Sequence, residues 1–307
     1  MLEAVPILSR LVTCILFSPF LLGVIGKTKA FFVGRKGPPY LQLYYDIYKL
    51  IQKGSVYSLT TTWIFRMAPL VSLAAILASS FLIPFGGLKA PVQFWGDVLL
   101  FAALFGLARF FMILAALDTG SSFEGMGASR EAAFSCLSEI ALFLNFVALA
   151  VLSKSFSLSG MIGERPWSLW VAAGPSLILV VLSYFMILLV ENARIPIDDP
   201  TTHLELTMIH EVMVLDHSGP DFAFILYGSA VKLFVLGGFL VTILVPFQSH
   251  NGGVDAIVFL SGMVALAVMI GVVESAMARL RLNRISSFIT GAFVLASFGL
   301  IIALSRV

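Results

Sequence analysis

Between residues 191 and 219 the chain reads ENARIPIDDPTTHLELTMIHEVMVLDHSG, and most of its titratable chemistry is gathered there. Glu191, Arg194, Asp198, Asp199, Glu205, Glu211 and Asp216 fall in this stretch, with His203, His210 and His217. Histidines and carboxylates exchange protons near neutral pH, so a cluster of this kind suits proton handling. Asp199 followed by Pro200 reads as a helix N-cap and first-turn proline. The helix after it would carry His203, Thr207, His210, Glu211 and His217 along one stripe, because seven residues are nearly two turns. That spacing is not a metal-ligand spacing, which runs to three or four residues. Two readings of the stripe stay open: groups lining a wet channel, or ordinary hydrogen-bonded loop residues.

Further ionisable residues lie inside apolar runs. Glu139 sits in SCLSEIALFLNF with Ser135, Ser138 and Asn145 nearby, while Arg109 and Lys232 interrupt two other runs. Glu191 and Glu274 stand at the ends of runs. A charge at mid-bilayer costs about 2.5–3.5 kcal/mol on insertion scales, so such groups pair, line water or move ions. Glu139 reads as an ion-path residue. If unpaired at that depth, its carboxyl would be expected to hold its proton, since desolvation disfavours the charged form. Arg109 and Lys232 read equally well as snorkelling or as structural ion pairs.

The elements that must position these groups follow from composition. Of 307 residues, 59% are hydrophobic and 12% charged, and mean hydropathy is +1.01; a soluble domain has roughly a quarter charged residues. This is an all-α integral membrane protein. A span needs about 20 apolar residues, and eight are expected in a single membrane domain over 1–307: about 5–26, 67–88, 97–117, 132–152, 169–190, 222–246, 254–274 and 286–305. The first lacks a cleavage pattern and reads as a retained helix. One set of connectors holds twelve Lys/Arg, the opposite set with the C-terminal tail only four. The positive-inside rule places the richer set, and with it the 191–219 loop, in the cytoplasm and both termini outside. A multi-pass protein of the cell (inner) membrane is implied.

The first connector is patterned. In PPYLQLYYDIYKLIQKG, Gln42, Asp46, Lys49 and Lys53 recur at steps of four, three and four, with Leu43, Tyr44, Ile47, Leu50 and Ile51 on the other side. That is an amphipathic surface helix in the first cytoplasmic loop, whose apolar face could roof an opening into the bundle. Cys14 and Cys136 lie far apart in apolar runs and give neither a metal spacing nor a disulfide framework. There is no phosphate loop, nucleophile elbow or dinucleotide fingerprint, so the chain itself carries no catalytic residues.

Three motifs together resemble a known family: GRKGPPYLQLYYDIYKL (34–50), the 191–219 stretch, and ESAMARLRLNR (274–284). They are similar to the NADH dehydrogenase subunit 1 family, in the branch of formate hydrogenlyase subunit 4-like membrane subunits of energy-converting NiFe hydrogenases. The resemblance implies an ion path or coupling set of Glu139, Glu191, Asp198, Glu205 and Asp216, to which the protonatable stripe read from the loop itself adds His203, His210 and Glu211. It implies a docking or loop-fixing set of Asp46, Lys49, Arg194, Arg279, Arg281 and Arg284. It implies partners: hydrogenase-like large and small subunits, an iron-sulfur subunit and antiporter-like membrane subunits, with no nucleic acid. The NiFe centre and iron-sulfur clusters belong in those partners, and no cofactor or metal is expected on this chain. Where quinone-reducing members carry a cluster of carboxylates, Thr201, Thr202 and His203 follow Pro200, which puts a quinone site in doubt and favours the hydrogenase branch.

The resulting expectation is a non-catalytic membrane subunit that anchors a redox arm and couples electron transfer to H⁺ or Na⁺ translocation. Its rivals are the quinone-binding subunit of an NADH dehydrogenase-type complex, a stand-alone ion transporter, and a purely structural anchor. A transporter built on two related halves would show paired Gly/Pro-broken spans, which are absent from the sequence.

Overall fold

The computed structural model describes residues 4–85, 90–162, 166–198, 208–247 and 251–305. The elements are helices throughout: α1 Ala4–Phe32, α2 Gln42–Ile51, α3 Trp63–Ser80, α4 Asp97–Asp118, α5 Ser122–Ser153, α6 Leu158–Ile162, α7 Pro166–Glu191, α8 His210–Met213, α9 Gly219–Leu244, α10 Gly252–Ala276 and α11 Leu282–Leu304. Eight of them are long and apolar enough to cross a membrane, and α2 is an amphipathic helix in the first connector.

Several boundaries move from the sequence expectation. Helix α1 continues past residue 26 to Phe32, and α5 begins at Ser122, ten residues before the expected apolar edge. Hydropathy marks where lipid-compatible sequence ends, whereas the backbone ladder runs on through Lys27, Lys29 and Arg130. At 32 residues, α5 is about 48 Å long, well beyond the roughly 30 Å hydrocarbon core. Helix α3 ends earlier, at Ser80, before Pro84. Helix α7 is kinked where Ala173 leaves helical geometry just before Pro175, a ring that cannot sit in a straight interior turn.

Helix α9 is the centre of the bundle, buried on nearly every side through Val231, Phe234, Val235, Phe239 and Leu240, and packed by α1, α2, α3, α7 and α10. Buried hydroxyls bond across helices: Ser176 Oγ donates to Gly299 O at 2.6 Å and Ser183 Oγ to Ala292 O at 2.7 Å, locking α7 to α11. In lipid, such bonds and small-residue contacts supply the association that water would otherwise drive. Gly271 meets Thr28 and the Ile25 carbonyl, where a Cβ would come within 2.7 Å of Thr28, so α1 and α10 touch at backbone distance.

Helix α4 is clamped at both ends. Buried Asp97 accepts the Leu158 N–H and the Ser157 hydroxyl, each at 2.7 Å. Asp118 accepts the Thr62 N–H at 2.6 Å and its hydroxyl at 2.9 Å, at the start of α3. The clamps fix the depth and rotation of α4, and so of Arg109 between them.

Helix α2 turns its expected apolar side partly inward through Leu43, Tyr44, Ile47 and Leu50, but Gln42 and Asp46 join that side and Ile51 leaves it. Gln42, Leu43 and Asp46 face an internal cavity, while Leu41, Tyr45, Tyr48 and Ile51 are exposed. The inward side therefore mixes polar and apolar positions, because α2 packs edge-on against α9 and α1. Its Tyr44 hydroxyl donates to the Leu16 carbonyl of α1.

Candidate functional site

Arg109 is the one charged side chain between the terminal aspartates of α4, about 18 Å along a 22-residue helix. Nothing apolar can satisfy it there, and its fork is met by carboxylates from two other helices. Its Nη1 donates to Glu139 Oε1 on α5. Its Nη2 donates to both oxygens of Glu191, at 2.9 and 2.7 Å, at the end of α7. Its Nε lies 3.7 Å from Glu131 on α5.

Glu191 is the most enclosed of the three acids, its side chain 4% exposed. It also takes Lys232 Nζ of α9 at 3.0 Å and the Ser138 hydroxyl at 2.7 Å. Two cations thus face three carboxylates. Glu139 is the open member, its side chain 38% exposed against 9% for Arg109. The condition of an unpaired Glu139 is not met: it is ion-paired, because α4 places Arg109 opposite it.

A second pairing lies at the C-terminal ends of α1 and α10. The Glu274 carboxylate is fully enclosed, with Lys29 Nζ at 3.1 Å and Arg194 Nη1 at 3.6 Å. A third fixes the loop itself. Buried Asp198 accepts the N–H groups of Ile209 and His210, both at 3.0 Å, and Arg279 Nη2 at 2.9 Å. The Leu280 N–H donates to the Pro196 carbonyl at 2.9 Å, and Arg130 Nη1 donates to Met208 O at 2.9 Å.

These three pairings border one cavity of about 740 Å³, which also receives Asp46, Glu131, His210 and Glu211. That volume lies within the range of small-molecule sites. Among the described residues, no three of His, Cys, Asp and Glu converge as a metal site would require.

Other sequence-predicted residues fall elsewhere. His203 and Glu205, with Asp199 and Pro200, lie outside the described residues. Of the expected stripe only His210, Glu211 and His217 fall among the described residues, and there α8 spans only His210–Met213. His217 lies beyond it, stacked on Phe65 at 4.0 Å between ring centroids and 5° between planes. Asp216 is exposed, and its N–H donates to buried Glu124 at 3.1 Å. Ser218 Oγ accepts the Val56 N–H at 3.0 Å, tying the fifth connector to the first. Arg194 and Arg279 are engaged within the chain, whereas Lys49, Arg281 and Arg284 are exposed. The partners Glu131, Lys232 and Lys29 were not singled out as a site from sequence. The signal for them was the isolation of Arg109 and Lys232 in long apolar spans, since each demands a carboxylate from somewhere.

His217 carries a pH prediction. Burial pushes its imidazole down to about 4, and neither ring nitrogen has a hydrogen-bond partner among the described residues. A base with a depressed folded-state pKa binds protons better when released. Its neutral, packed form therefore contributes fully above the ordinary value near 6.5 and loses that contribution as pH falls from there towards 4. Amide exchange of residues 214–219, taken relative to the intrinsic rate at each pH, should accelerate over that window in the native protein. His217→Phe, which keeps the stack without a titratable ring, should remove the acceleration.

Comparison with known proteins identifies the lineage. The family model described as NADH dehydrogenase matches residues 5–305. The chain belongs to the NADH dehydrogenase family. Formate hydrogenlyase subunit 4 of Escherichia coli (strain K12) is 30% identical over 92% of this chain and 91% of its own length. Hydrogenase-4 component C of the same organism is 29% identical over 78% and 75%. A subunit of the NADH-quinone oxidoreductase of Syntrophotalea carbinolica is 27% identical over 85% and 80%. Among solved structures, a chain of the membrane-bound sulfane sulfur reductase, an archaeal respiratory membrane complex, superposes with a TM-score of 0.86. It is 20% identical, over 99% of this chain and all of that one, and so shares the fold.

Proposed function

We propose that this family member is the membrane subunit of a hydrogenase-type, multisubunit oxidoreductase complex, and that it couples electron transfer in a soluble arm to H⁺ or Na⁺ translocation. The supporting observation is the Arg109 cluster. It joins Glu191, which opens the charged connector, to Glu139, deep in α5 and open to the outside of the helix bundle. A redox change sensed by the connector would reach mid-bilayer through one guanidinium, by altering which carboxylate it favours. Similarity to the two hydrogenase-type subunits favours this branch. Gentle purification should bring down partner subunits with nickel and iron.

A second reading, a quinone-binding subunit, is favoured by the cavity's size and its apolar walls. Bound quinone without nickel in the purified assembly would establish that reading in place of the first.

The docking arm of the proposal predicts that Arg281→Glu releases the soluble subunits while the chain still inserts, because this exposed arginine has no described ion partner inside the chain. Retention of those subunits on pull-down would make Arg281 a topology signal only. Sidedness is checked by thiol labelling. Cysteine at exposed Gln52 should react with an impermeant reagent from the cytoplasmic side, and cysteine at exposed Lys154 from the other. The exposed native Cys136 is first replaced by Ser.

A further inference from the structure

The cavity is electrically divided. At one side stand Lys29, Arg35 and Arg194, brought together because the Arg35 N–H bonds the Ala30 carbonyl at 2.8 Å, next to Lys29. Lys29 and Arg194 share the single carboxylate of Glu274, and Arg35 makes no ion pair with any described residue. The buried Arg194 Nε–H has no acceptor among the described residues. A buried donor without a partner costs about 1–3 kcal/mol. Asp46, on the α2 wall, takes the Gln42 amide at 2.8 Å and pairs with no described cation, and Asp198, also in the lining, is matched by Arg279, so counting Asp46 and Glu274 against them the three cations keep a surplus of one. On the opposite side the lining holds Arg109 and Lys232 with Glu131 and Glu191, and Arg109 is also bonded by Glu139, which lies off the lining. Glu211 belongs to that side too, because α8 packs on α4 and α5.

The wall between is apolar, with Leu22 and Ile25 of α1, Ile76 of α3 and Ile225 and Leu226 of α9. On the α2 side, one helix separates this wall from the apolar surroundings. That helix exposes Leu41, Tyr45 and Tyr48 outward and reaches down α1 as far as Leu16, about 13 Å along the helix from Ile25.

We propose that the cavity binds an amphiphile with an anionic head. The head, a carboxylate or a phosphodiester of net negative charge, sits among Arg35, Lys29 and Arg194, where the Arg194 Nε–H meets its acceptor. Its hydrocarbon chain lies along α1, α3 and α9. The carboxylate surplus around Arg109 repels a second orientation. A head of zero net charge, uncharged or zwitterionic, would leave the cationic surplus uncompensated, so the site discriminates against such amphiphiles of the same length. Because a phospholipid and a free fatty acid share this chemistry, both are tested. The proposal is independent of the redox role: binding is read on the purified assembly without turnover.

The assembly is stripped of lipid in excess mild detergent, and binding of fluorescent phosphatidylglycerol, phosphatidylcholine, oleate and decylubiquinone is measured. About one phosphatidylglycerol or oleate per chain is expected, roughly tenfold tighter than phosphatidylcholine or decylubiquinone, the scale of one charge-assisted contact. Arg35→Gln should abolish most of that preference, whereas Lys36→Gln, exposed but off the cavity, should leave it intact. Oleate binding alone, with the same sensitivity to Arg35→Gln, identifies a fatty acid as the occupant; phosphatidylglycerol alone identifies a lipid. Arg194→Gln tests the unpaired donor, and exposed Arg35 keeps the test decisive should that variant fail to fold. Equal binding of charged and neutral amphiphiles, or a preference untouched by Arg35→Gln, overturns the proposal.

Discussion

Arg109→Gln is expected to be the most damaging single substitution in the chain. It removes the guanidinium that faces Glu131, Glu139 and Glu191, leaving Lys232 alone to compensate three carboxylates, one of them almost wholly enclosed. Breaking a buried pair by deleting one partner costs about 3–5 kcal/mol, since the remaining charge keeps its desolvation penalty. A large fall in the melting temperature of the detergent-purified protein is the expected reading. Arg109→Lys should rescue little, because a single ammonium cannot reproduce a fork that bonds carboxylates from α5 and α7 at once. The double variant Arg109→Gln/Glu191→Gln should recover part of the loss by removing the enclosed charge. If Arg109→Gln melts with the native protein, the cluster is not a structural element and its ion pairs are incidental.

Glu139→Gln should behave in the opposite way, sparing the fold and disabling the coupling. The substituted amide keeps the size and can still accept from Arg109, which retains Glu191 and Glu131. Only the titratable oxygen is lost, and it is lost at the acid open to the outside of the bundle. The complex should therefore assemble and still reduce an artificial acceptor. The redox-driven gradient in sealed vesicles should fall about tenfold or more, a modest share of what a positioned acid–base group contributes to transfer. An unchanged gradient per electron in assembled Glu139→Gln complex would remove Glu139 from the path. Failure to assemble would make its role structural and leave family membership untouched.

The two variants separate functions that the sequence presents alike, as charges stranded in apolar helices. Glu191 and Arg109 are 82 residues apart and Ser138 and Glu191 53, and no local pattern encodes their meeting. It depends on how α4, α5 and α7 are rotated, which is set by the Asp97 and Asp118 clamps, the α7–α11 hydroxyl bonds and the kink at Ala173.

The number of membrane helices was determined by the sequence itself, because bilayer thickness converts apolar run length directly into spans. Family membership was equally legible, being carried by short charged motifs whose order survives without any knowledge of packing. The amphipathic character of α2 could be read from its period, but that Gln42 and Asp46 would share the cavity side could not, since that is chosen by contacts with α9 and α1 rather than by the helix alone. The same holds for the 191–219 loop: its acids and histidines were evident, yet His217 proved to be a stacked ring and Asp198 a staple for α8 and Arg279. Only the tertiary structure decided the ion pairs. Burial makes each charge seek a partner, and the sequence does not fix which of several distant helices will bring one.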